Sequence, residues 1–327
     1  MELQMSFRNA AERATRALPQ DARVYQIAAL SSLLAYGLTA LHFEIGFAQV
    51  TVTIASAIAT QWAGTQLTRP RTLHPRGGAL GPRQGAFDPK SALISALSLC
   101  LLLRTPSLFA AAAAAAIAVG SKFALRWHGK HLFNPTNFAL VVMLATGMGW
   151  VSPGQWGNPA FFAFAICCLG TLVVTRAARA DITLAFLGFH AAILFGYAAW
   201  LGQPAAIPLH RMQSGALLLF AFFMISDPRT TPNARAGRVL FALLVAAGAA
   251  CVQFALYRTN GLLWSLVVCS TLTPLIDRLM PGSRFAWTRV STNSDDFTDD
   301  FTGGDSHENA APFVPAGTGA RLATGRI

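Results

Sequence analysis

The chain has 327 residues, of which 54% are hydrophobic and only 12% are charged, and its mean hydropathy is +0.46. Soluble domains carry about a quarter charged residues, so this composition excludes an ordinary soluble protein. Apolar runs of membrane-spanning length recur from about Tyr25 to Met280. The sequence therefore predicts an all-α, polytopic integral membrane protein. The net charge of +11 is interpreted below through its distribution, and no nucleic-acid partner is expected.

About ten transmembrane helices follow one another along the chain. We place them at residues 25–43, 45–67, 90–103, 107–123, 134–150, 158–175, 181–201, 209–226, 237–256 and 261–280. They form a transmembrane domain over 25–285, between a cytoplasmic amino-terminal tail over 1–24 and a cytoplasmic tail over 286–327. The first tail fits an interfacial helix or a solvated segment equally well. The second is acidic and then rich in Gly, Pro and Ala, which is typical of disorder.

The distribution of basic residues orients these helices. With the amino terminus in the cytoplasm, all but three of the 25 Lys and Arg fall on the cytoplasmic side, the exceptions being Arg104, Arg211 and Arg258. Basic residues concentrate on that side of membrane proteins, so both termini are expected there, in the cell (inner) membrane. One kinked helix over 91–123 would move every later loop across the membrane. The charge distribution favours a hairpin that turns at Thr105-Pro106 instead.

Metal, disulfide and ion-relay chemistry have little support in the sequence. All five cysteines, Cys100, Cys167, Cys168, Cys251 and Cys269, fall inside predicted spans and none forms a CxxC pair. Among ionisable residues only His190 lies near the middle of a span, where a carboxylate relay would need several. No metal site is predicted, and the catalytic residues, if any, stay unknown.

Two helix starts on the predicted cytoplasmic side combine cap residues, prolines and basic side chains. They lie in KHLFNPTNFALVV and in ISDPRTTPNARAGRVLF. Asn is a good N-cap and Pro suits the first helical position, and exposed helix-start N–H groups bind phosphate. The candidate cofactor-binding residues are Lys130, Asn134, Pro135, Thr136, Asp227, Pro228, Arg229, Thr230 and Thr231. The competing interpretation is that both loops only anchor at anionic lipid headgroups.

Three segments resemble the NqrB/RnfD family, which comprises the RnfD membrane component of Rnf-type complexes and the NqrB component of Na⁺-translocating NADH:quinone oxidoreductase-type complexes. SKFALRWHGKHLFNPTNFAL is similar to the family's basic loop before a Phe-Asn-Pro helix start. LLLFAFFMISDPRTTPNARAGRVLFALLVA is similar to its Phe-x-Met-x-x-Asp-Pro segment, and NGLLWSLVVCSTLTPLIDRLM to its final helix with Pro-Leu-Ile-Asp. DARVYQIAAL further resembles a shorter branch, some members of which are encoded with enediyne biosynthesis genes.

This resemblance implies an integral membrane subunit of a redox-driven electron-transfer system, coupled to ion transport, with other redox subunits or electron-carrier proteins as partners besides the lipid bilayer. It leaves open whether the chain is a flavin-binding or a non-catalytic subunit of an oxidoreductase. The alternative is a channel or carrier for a small solute with no redox role.

The resemblance also implies a flavin. Family members typically carry FMN esterified to a threonine of a Ser/Thr-x-Ala-Thr-like motif on the outer side. The outer loop over 147–159 has no threonine, and Ala145-Thr146 lacks the preceding acidic and hydroxyl residues. Covalent FMN is therefore doubtful, and FMN or riboflavin is expected to bind non-covalently.

Overall fold

The computed structural model describes residues 21–68, 87–152 and 159–283, together with Pro19 and Phe285, and the side chains of 159–162 fall outside this description. The described residues belong to one compact unit, which ends at Thr288. Most of the predicted amino-terminal tail and nearly all of the tail predicted over 286–327 lie outside the described residues.

Helices make up most of the described chain. In chain order the elements are α1 (Ala22–Thr39), α2 (Phe47–Leu67), α3 (Lys90–Leu102), β1 (Leu103–Arg104), α4 (Leu108–Ala124), β2 (Arg126–Trp127), β3 (Lys130–His131), α5 (Pro135–Ala145), β4 (Trp150–Val151), α6 (Pro159–Arg176), α7 (Ala180–Trp200), α8 (Ala206–Met212), α9 (Gly215–Leu219), α10 (Arg235–Ala250), α11 (Gly261–Ser270) and α12 (Thr273–Leu279). Two π-helical turns, Phe220–Met224 and Cys251–Ala255, continue α9 and α10. The predicted helical class is confirmed.

Short polar side chains set the starts of several helices. The Asp21 side chain accepts a hydrogen bond from the Arg23 N–H at the start of α1. Ser107 does the same for the Ala110 N–H at the start of α4, over 3.1 Å. Asn134 caps α5 by accepting from the Asn137 N–H over 3.0 Å. Each cap satisfies a main-chain donor that has no partner inside its helix, and α5 begins where the Asn-Pro pair predicts.

Helices α3 and α4 form an antiparallel hairpin. Lys122, at the end of α4, donates from Nζ to Ser91 Oγ at the start of α3 over 3.0 Å. In one continuous helix these residues would lie about 45 Å apart, at 1.5 Å per residue. Between the two helices β1 pairs antiparallel with β4, with Leu103 opposite Val151. The hairpin predicted around Thr105 is therefore present, and one kinked helix over this segment is excluded.

Polar contacts gather helix ends into two groups. Ion pairs join the starts of α1 and α3 (Arg23–Asp88, 2.6 Å) and the starts of α7 and α10 (Arg238–Asp181). We call this group the basic end; its described Lys and Arg are Arg23, Lys90, Lys122, Arg126, Lys130, Arg176, Arg179, Arg229, Arg235, Arg238 and Arg278.

The remaining helix ends form the opposite end. The Gln49 Nε2 group of α2 donates to Thr105 Oγ1 over 2.9 Å, next to β1. The Tyr197 ring, near the end of α7, stacks on the Phe254 ring after α10 at 4.1 Å between centroids. Among the described basic residues, this end carries Arg104, Arg211 and Arg258. The two charge groups predicted from the sequence are thus separated in the fold.

Not every predicted span is one long helix. Within the described part of the chain, Ala180–Trp200 and Arg235–Ala255 are long and apolar enough to cross a membrane. The pair α11 and α12 would make a third span if it is counted as one, and it is bent by 52°. The bend falls just before Pro274, which sits in the first turn of α12 because a proline cannot continue a helix interior. The ten-span count and the cytoplasmic termini stay predictions.

Two other predicted spans are shorter than expected. The span at 134–150 ends as helix at Ala145, and Gly147 then turns the chain with φ of 68°. The span at 209–226 is divided between α8 and α9, which are separated by Gln213 and Ser214. Both differences arise because apolar composition extends past the residues that end each helix.

Small residues bring α2 and α4 close together. The Ser56 hydroxyl of α2 donates to the Ala112 main-chain oxygen of α4 over 2.8 Å. A side-chain carbon added at Gly64 would lie 2.4 Å from the Phe123 ring. Such close packing is typical of small residues at helix interfaces, and it fixes Phe123 and Lys122 at the basic end.

Candidate functional site

A polar cavity of about 400 Å³ lies at the basic end, where the two predicted helix starts meet. We call it the polar cavity. The predicted site residues on its walls are Asn134, Pro135, Thr136, Asp227, Pro228 and Arg229. Polar residues of α2, α3 and α4 complete the walls, including Gln61, Thr65, Ser91, Ser95, Ser98 and Lys122. Segments almost a hundred residues apart in sequence thus share one cavity.

Asn134 joins the two helix starts. Its Oδ1 caps α5, while its Nδ2 donates to the Met224 main-chain oxygen over 3.2 Å and reaches Asp227 Oδ2 at 3.4 Å. Beside it, Arg229 Nη1 lies 3.4 Å from His131 Nε2. Asn134 is 6% exposed and Thr136 is 4% exposed, so packing holds this part of the wall in place.

The segment after α9 is held by a turn around Asp227. The Asp227 carboxylate accepts from the Arg229 N–H over 3.0 Å. Its main-chain oxygen accepts from the Thr231 N–H and hydroxyl, and from the Thr230 N–H. Thr230 and Thr231 are buried and lie outside the cavity walls. They position Asp227 and Arg229.

Burial raises the pKa of the Asp227 carboxyl above its usual value. The hydrogen bond from the Arg229 N–H and the charges of Arg229 and Lys122 act in the opposite sense and offset this only in part. A carboxylate in this position neutralises little of the cationic surroundings if it is partly protonated, so the cavity keeps its positive character.

Lys130 occupies a different place from the other predicted residues. Its Nζ forms an ion pair with Asp277 Oδ2 at 2.7 Å and donates to Asn233 Oδ1 over 3.2 Å. It lines a groove of about 870 Å³ between the β2–β3 hairpin and α12, beside Trp127. We call this the Lys130 groove. The structure therefore separates Lys130 from Asn134, although only three residues lie between them.

Lys122 is the cation that the sequence did not assign to the site. It is 6% exposed and hydrogen-bonds to Ser91 Oγ, and it forms no ion pair with any carboxylate in the described residues. A buried ammonium group without a counter-charge is costly, so an anionic ligand in the cavity would stabilise it. The available signal was a lone lysine in the last turn of an Ala-rich helix.

Arg126 follows Lys122 on the cavity wall and is tied to the same helix end. Its Nε donates to the Lys122 main-chain oxygen. The cation is therefore held beside Lys122, while the residue itself stays exposed to solvent. Together with Arg229, it gives the cavity a second exposed guanidinium group.

Two buried polar atoms on the cavity walls have no hydrogen-bond partner in the described structure, His131 Nδ1 and Gln61 Oε1. Burial and the charges of Arg229, Arg126 and Lys122 lower the pKa of His131 to about 3. The imidazole is therefore neutral at pH 7. Because buried polar groups are almost always hydrogen-bonded, these two atoms indicate that the cavity holds polar contents.

The arrangement fits an anionic ligand. Lys122, Arg126 and Arg229 supply positive charge, and the start of α5 adds main-chain N–H groups at the positive end of its helix dipole. Charged donors of this kind form the stronger hydrogen bonds to phosphate. The residues present therefore suit a phosphate-bearing cofactor such as FMN.

Helices with apolar surfaces that enclose a polar, basic-ended cavity define an α-helical membrane protein. Residues 142–286 match the model of the NQR2, RnfD, RnfE family. The resemblance inferred from the sequence motifs is therefore confirmed over that part of the chain. Asp227 and Arg229 lie inside the matched range, whereas Lys122 and Asn134 precede it.

Similar proteins from several bacteria are all named as the RnfD-type component of an ion-translocating oxidoreductase complex. The chain is 29% identical to that of Erwinia tasmaniensis over 133 residues, 40% of this chain and 35% of the relative. It is 34% identical to that of Tolumonas auensis over 134 residues, with the same two shares. It is 32% identical to that of Escherichia coli (strain SMS-3-5 / SECEC) over 137 residues, 41% of this chain and 36% of the relative. The chain thus covers little more than a third of these relatives.

Proposed function

We propose that the chain is an integral membrane subunit of a redox-driven, ion-translocating electron-transfer system. The family match over residues 142–286 and the shared name of the similar proteins support this. Those relatives are named as one component of a complex, so other redox subunits or electron-carrier proteins are the proposed partners. The proposal places the chain in the inner membrane with ten spans and both termini in the cytoplasm.

The separation of charge in the fold supports this orientation. The basic end gathers most of the described Lys and Arg, and the opposite end carries Arg104, Arg211 and Arg258. Because basic residues favour the cytoplasmic side, the basic end is proposed to face the cytoplasm. The polar cavity would then be open to soluble electron carriers.

The proposed cofactor is FMN or riboflavin, bound non-covalently in the polar cavity. The observation that carries this is Lys122, which is buried on the cavity wall and has no carboxylate partner among the described residues. When bound, a flavin supplies electron transfer. The role of the chain's own residues is to hold it, with Lys122, Arg126 and Arg229 on a phosphate and Asn134 and Thr136 fixing the cavity wall.

The position of Thr146 supports the absence of covalent attachment. Thr146 follows α5, and its hydroxyl donates to the Val142 main-chain oxygen over 2.9 Å. Because α5 begins at the polar cavity, its far end lies at the opposite end of the protein. A flavin joined to Thr146 would therefore not occupy the cavity that the cations line.

The absorption spectrum of the protein purified with its membrane partners tests the cofactor. The proposal predicts oxidised flavin that is released when the protein is denatured. Flavin fluorescence that survives denaturing electrophoresis and disappears in Thr146→Ala would overturn non-covalent binding. A protein purified with its partners and free of any flavin would overturn the cofactor altogether.

Ion uptake by membrane vesicles tests the wider function. Vesicles from cells with and without the chain are supplied with a reduced electron donor, and the proposal predicts that redox-driven uptake depends on the chain. Uptake that is unchanged without it would contradict the proposal. Solute uptake that needs the chain but no electron donor would favour the channel or carrier instead.

A further inference from the structure

A third cavity, of about 540 Å³, lies at the basic end and is not used by the function proposed above. It is formed by the loop before α7, the start of α10 and the segment after α12. Three arginines line it, Arg179, Arg235 and Arg238, and Phe285 closes one side. We call it the arginine pocket.

Arg179 is the most unusual residue of this pocket. It is 6% exposed, and its one hydrogen bond runs from Nη1 to the Ala178 main-chain oxygen over a weak 3.3 Å. Its Nε is buried without a partner, and it forms no ion pair with any described carboxylate. A buried guanidinium group with so few partners is costly. The site is therefore incomplete without an acceptor.

The orientation of Arg179 leaves its donors open. The Phe285 ring stacks on the guanidinium group, with 5.1 Å from the central carbon to the ring centroid. Stacking covers a face of the planar group, whereas its N–H donors point outward in the plane. A tetrahedral anion with several oxygens, such as phosphate, matches this fork.

The other two arginines differ in how much of their charge is available. Arg238 is neutralised, because its Nε donates to Asp181 Oδ2 over 2.8 Å and its Nη1 donates to the Asn233 main-chain oxygen over 2.7 Å. Arg235 is exposed in the first turn of α10. The helix cap, Ala234, offers no side-chain hydrogen bond, so the first N–H groups of this helix are also open to an anion.

The surface below Arg235 indicates where such an anion would come from. Helix α10 with its π-helical turn is one of the two described helices that can cross a membrane. Val239 and Leu243 follow Arg235 at intervals of four residues, which places all three on one helix face. They are 36% and 40% exposed. An acyl chain can lie along this apolar strip while its headgroup reaches the arginines.

We propose that the arginine pocket binds the phosphate of an anionic phospholipid headgroup, with Arg179 and Arg235 as the charged donors. Basic pockets between transmembrane helices on the cytoplasmic side bind such headgroups. Soluble phosphate shares the same chemistry but makes no use of Val239 and Leu243. The site is independent of the flavin and of the proposed redox function.

Binding of defined lipids to the purified full chain tests the proposal. Phosphatidylglycerol, phosphatidylcholine and inorganic phosphate are titrated separately, with bound lipid counted by native mass spectrometry. The variants are Arg179→Gln and Arg235→Gln, the latter at an exposed position that does not threaten folding. Arg278→Gln is the matched control, because it removes an exposed charge at the same end outside the arginine pocket.

We expect wild type to bind phosphatidylglycerol in preference to phosphatidylcholine. Arg179→Gln and Arg235→Gln should each weaken this by about tenfold, the effect of losing one charged hydrogen bond, whereas Arg278→Gln leaves it within about twofold. Phosphate binding without phosphatidylglycerol binding, lost in both variants, would keep the phosphate site and assign it to soluble phosphate. Unchanged binding in Arg235→Gln, or equal losses in Arg278→Gln, would overturn the proposal.

Discussion

Replacing Asn134 by alanine should destabilise the protein, because one side chain holds two segments at once. Its Oδ1 caps α5, and its Nδ2 donates to the buried Met224 main-chain oxygen over 3.2 Å. Loss of an N-cap costs about 1 kcal/mol. Leaving a buried acceptor unsatisfied costs about 1–3 kcal/mol. The free energy of unfolding of Asn134→Ala should therefore fall by roughly 2–4 kcal/mol.

A second substitution separates the two effects. Asn134→Ser keeps an oxygen that can cap α5 but removes the amide that bonds to Met224. It should lose only the second part, about 1–3 kcal/mol. Unfolding of the detergent-purified protein, followed by circular dichroism, measures both variants against wild type. The reasoning is refuted if Asn134→Ala is as stable as wild type, or if the serine variant is the less stable of the two.

Titration, packing and orientation can each be tested at other positions of the molecule. Because the folded protein lowers the pKa of His131 from 6.5 to about 3, the unfolded chain binds more protons between these values. Wild type should therefore lose stability as pH falls from 6.5 towards 3, whereas an equal loss in His131→Gln would contradict this origin. Gly64→Ala should destabilise by about 1–3 kcal/mol, because its new carbon meets the Phe123 ring. Gly120→Ala, where nothing lies within 4 Å, should not, and similar melting curves would argue against the packing. In a variant without native cysteines, Tyr257→Cys should react with an impermeant reagent from outside the cell and Trp127→Cys should not; the reverse pattern would exclude the proposed orientation.

Local sequence signals predicted the helix starts well. Asn134 and Pro135 identify the start of α5, and the structure begins that helix at Pro135. Capping depends on neighbouring residues alone, so it can be read from a few letters of sequence. The charge pattern likewise predicted the hairpin of α3 and α4, because it depends on the order of segments along the chain.

The contents of the site were harder to predict, since they depend on contacts between distant segments. Lys130 lies close to Asn134 in sequence, but the β2–β3 hairpin directs it to Asp277, 147 residues further along. The turn of that hairpin uses positive φ at His128 and Gly129. Conversely, Lys122 joins the cavity only because α4 folds back on α3. Hydropathy contains neither piece of information.

Flavin titration tests most directly the central claim, that the polar cavity holds the phosphate of a non-covalent flavin. FMN and riboflavin, which differ by that phosphate, are titrated into flavin-free wild type, Lys122→Gln and Lys130→Gln. Lys122→Gln should weaken FMN by about tenfold or more, since a charged hydrogen bond contributes about 1.5–3 kcal/mol and 1.4 kcal/mol is a factor of ten. Riboflavin should bind all three proteins alike, and Lys130→Gln should bind FMN like wild type. Equal losses for both flavins in Lys122→Gln, or a loss of FMN only in Lys130→Gln, would contradict the account.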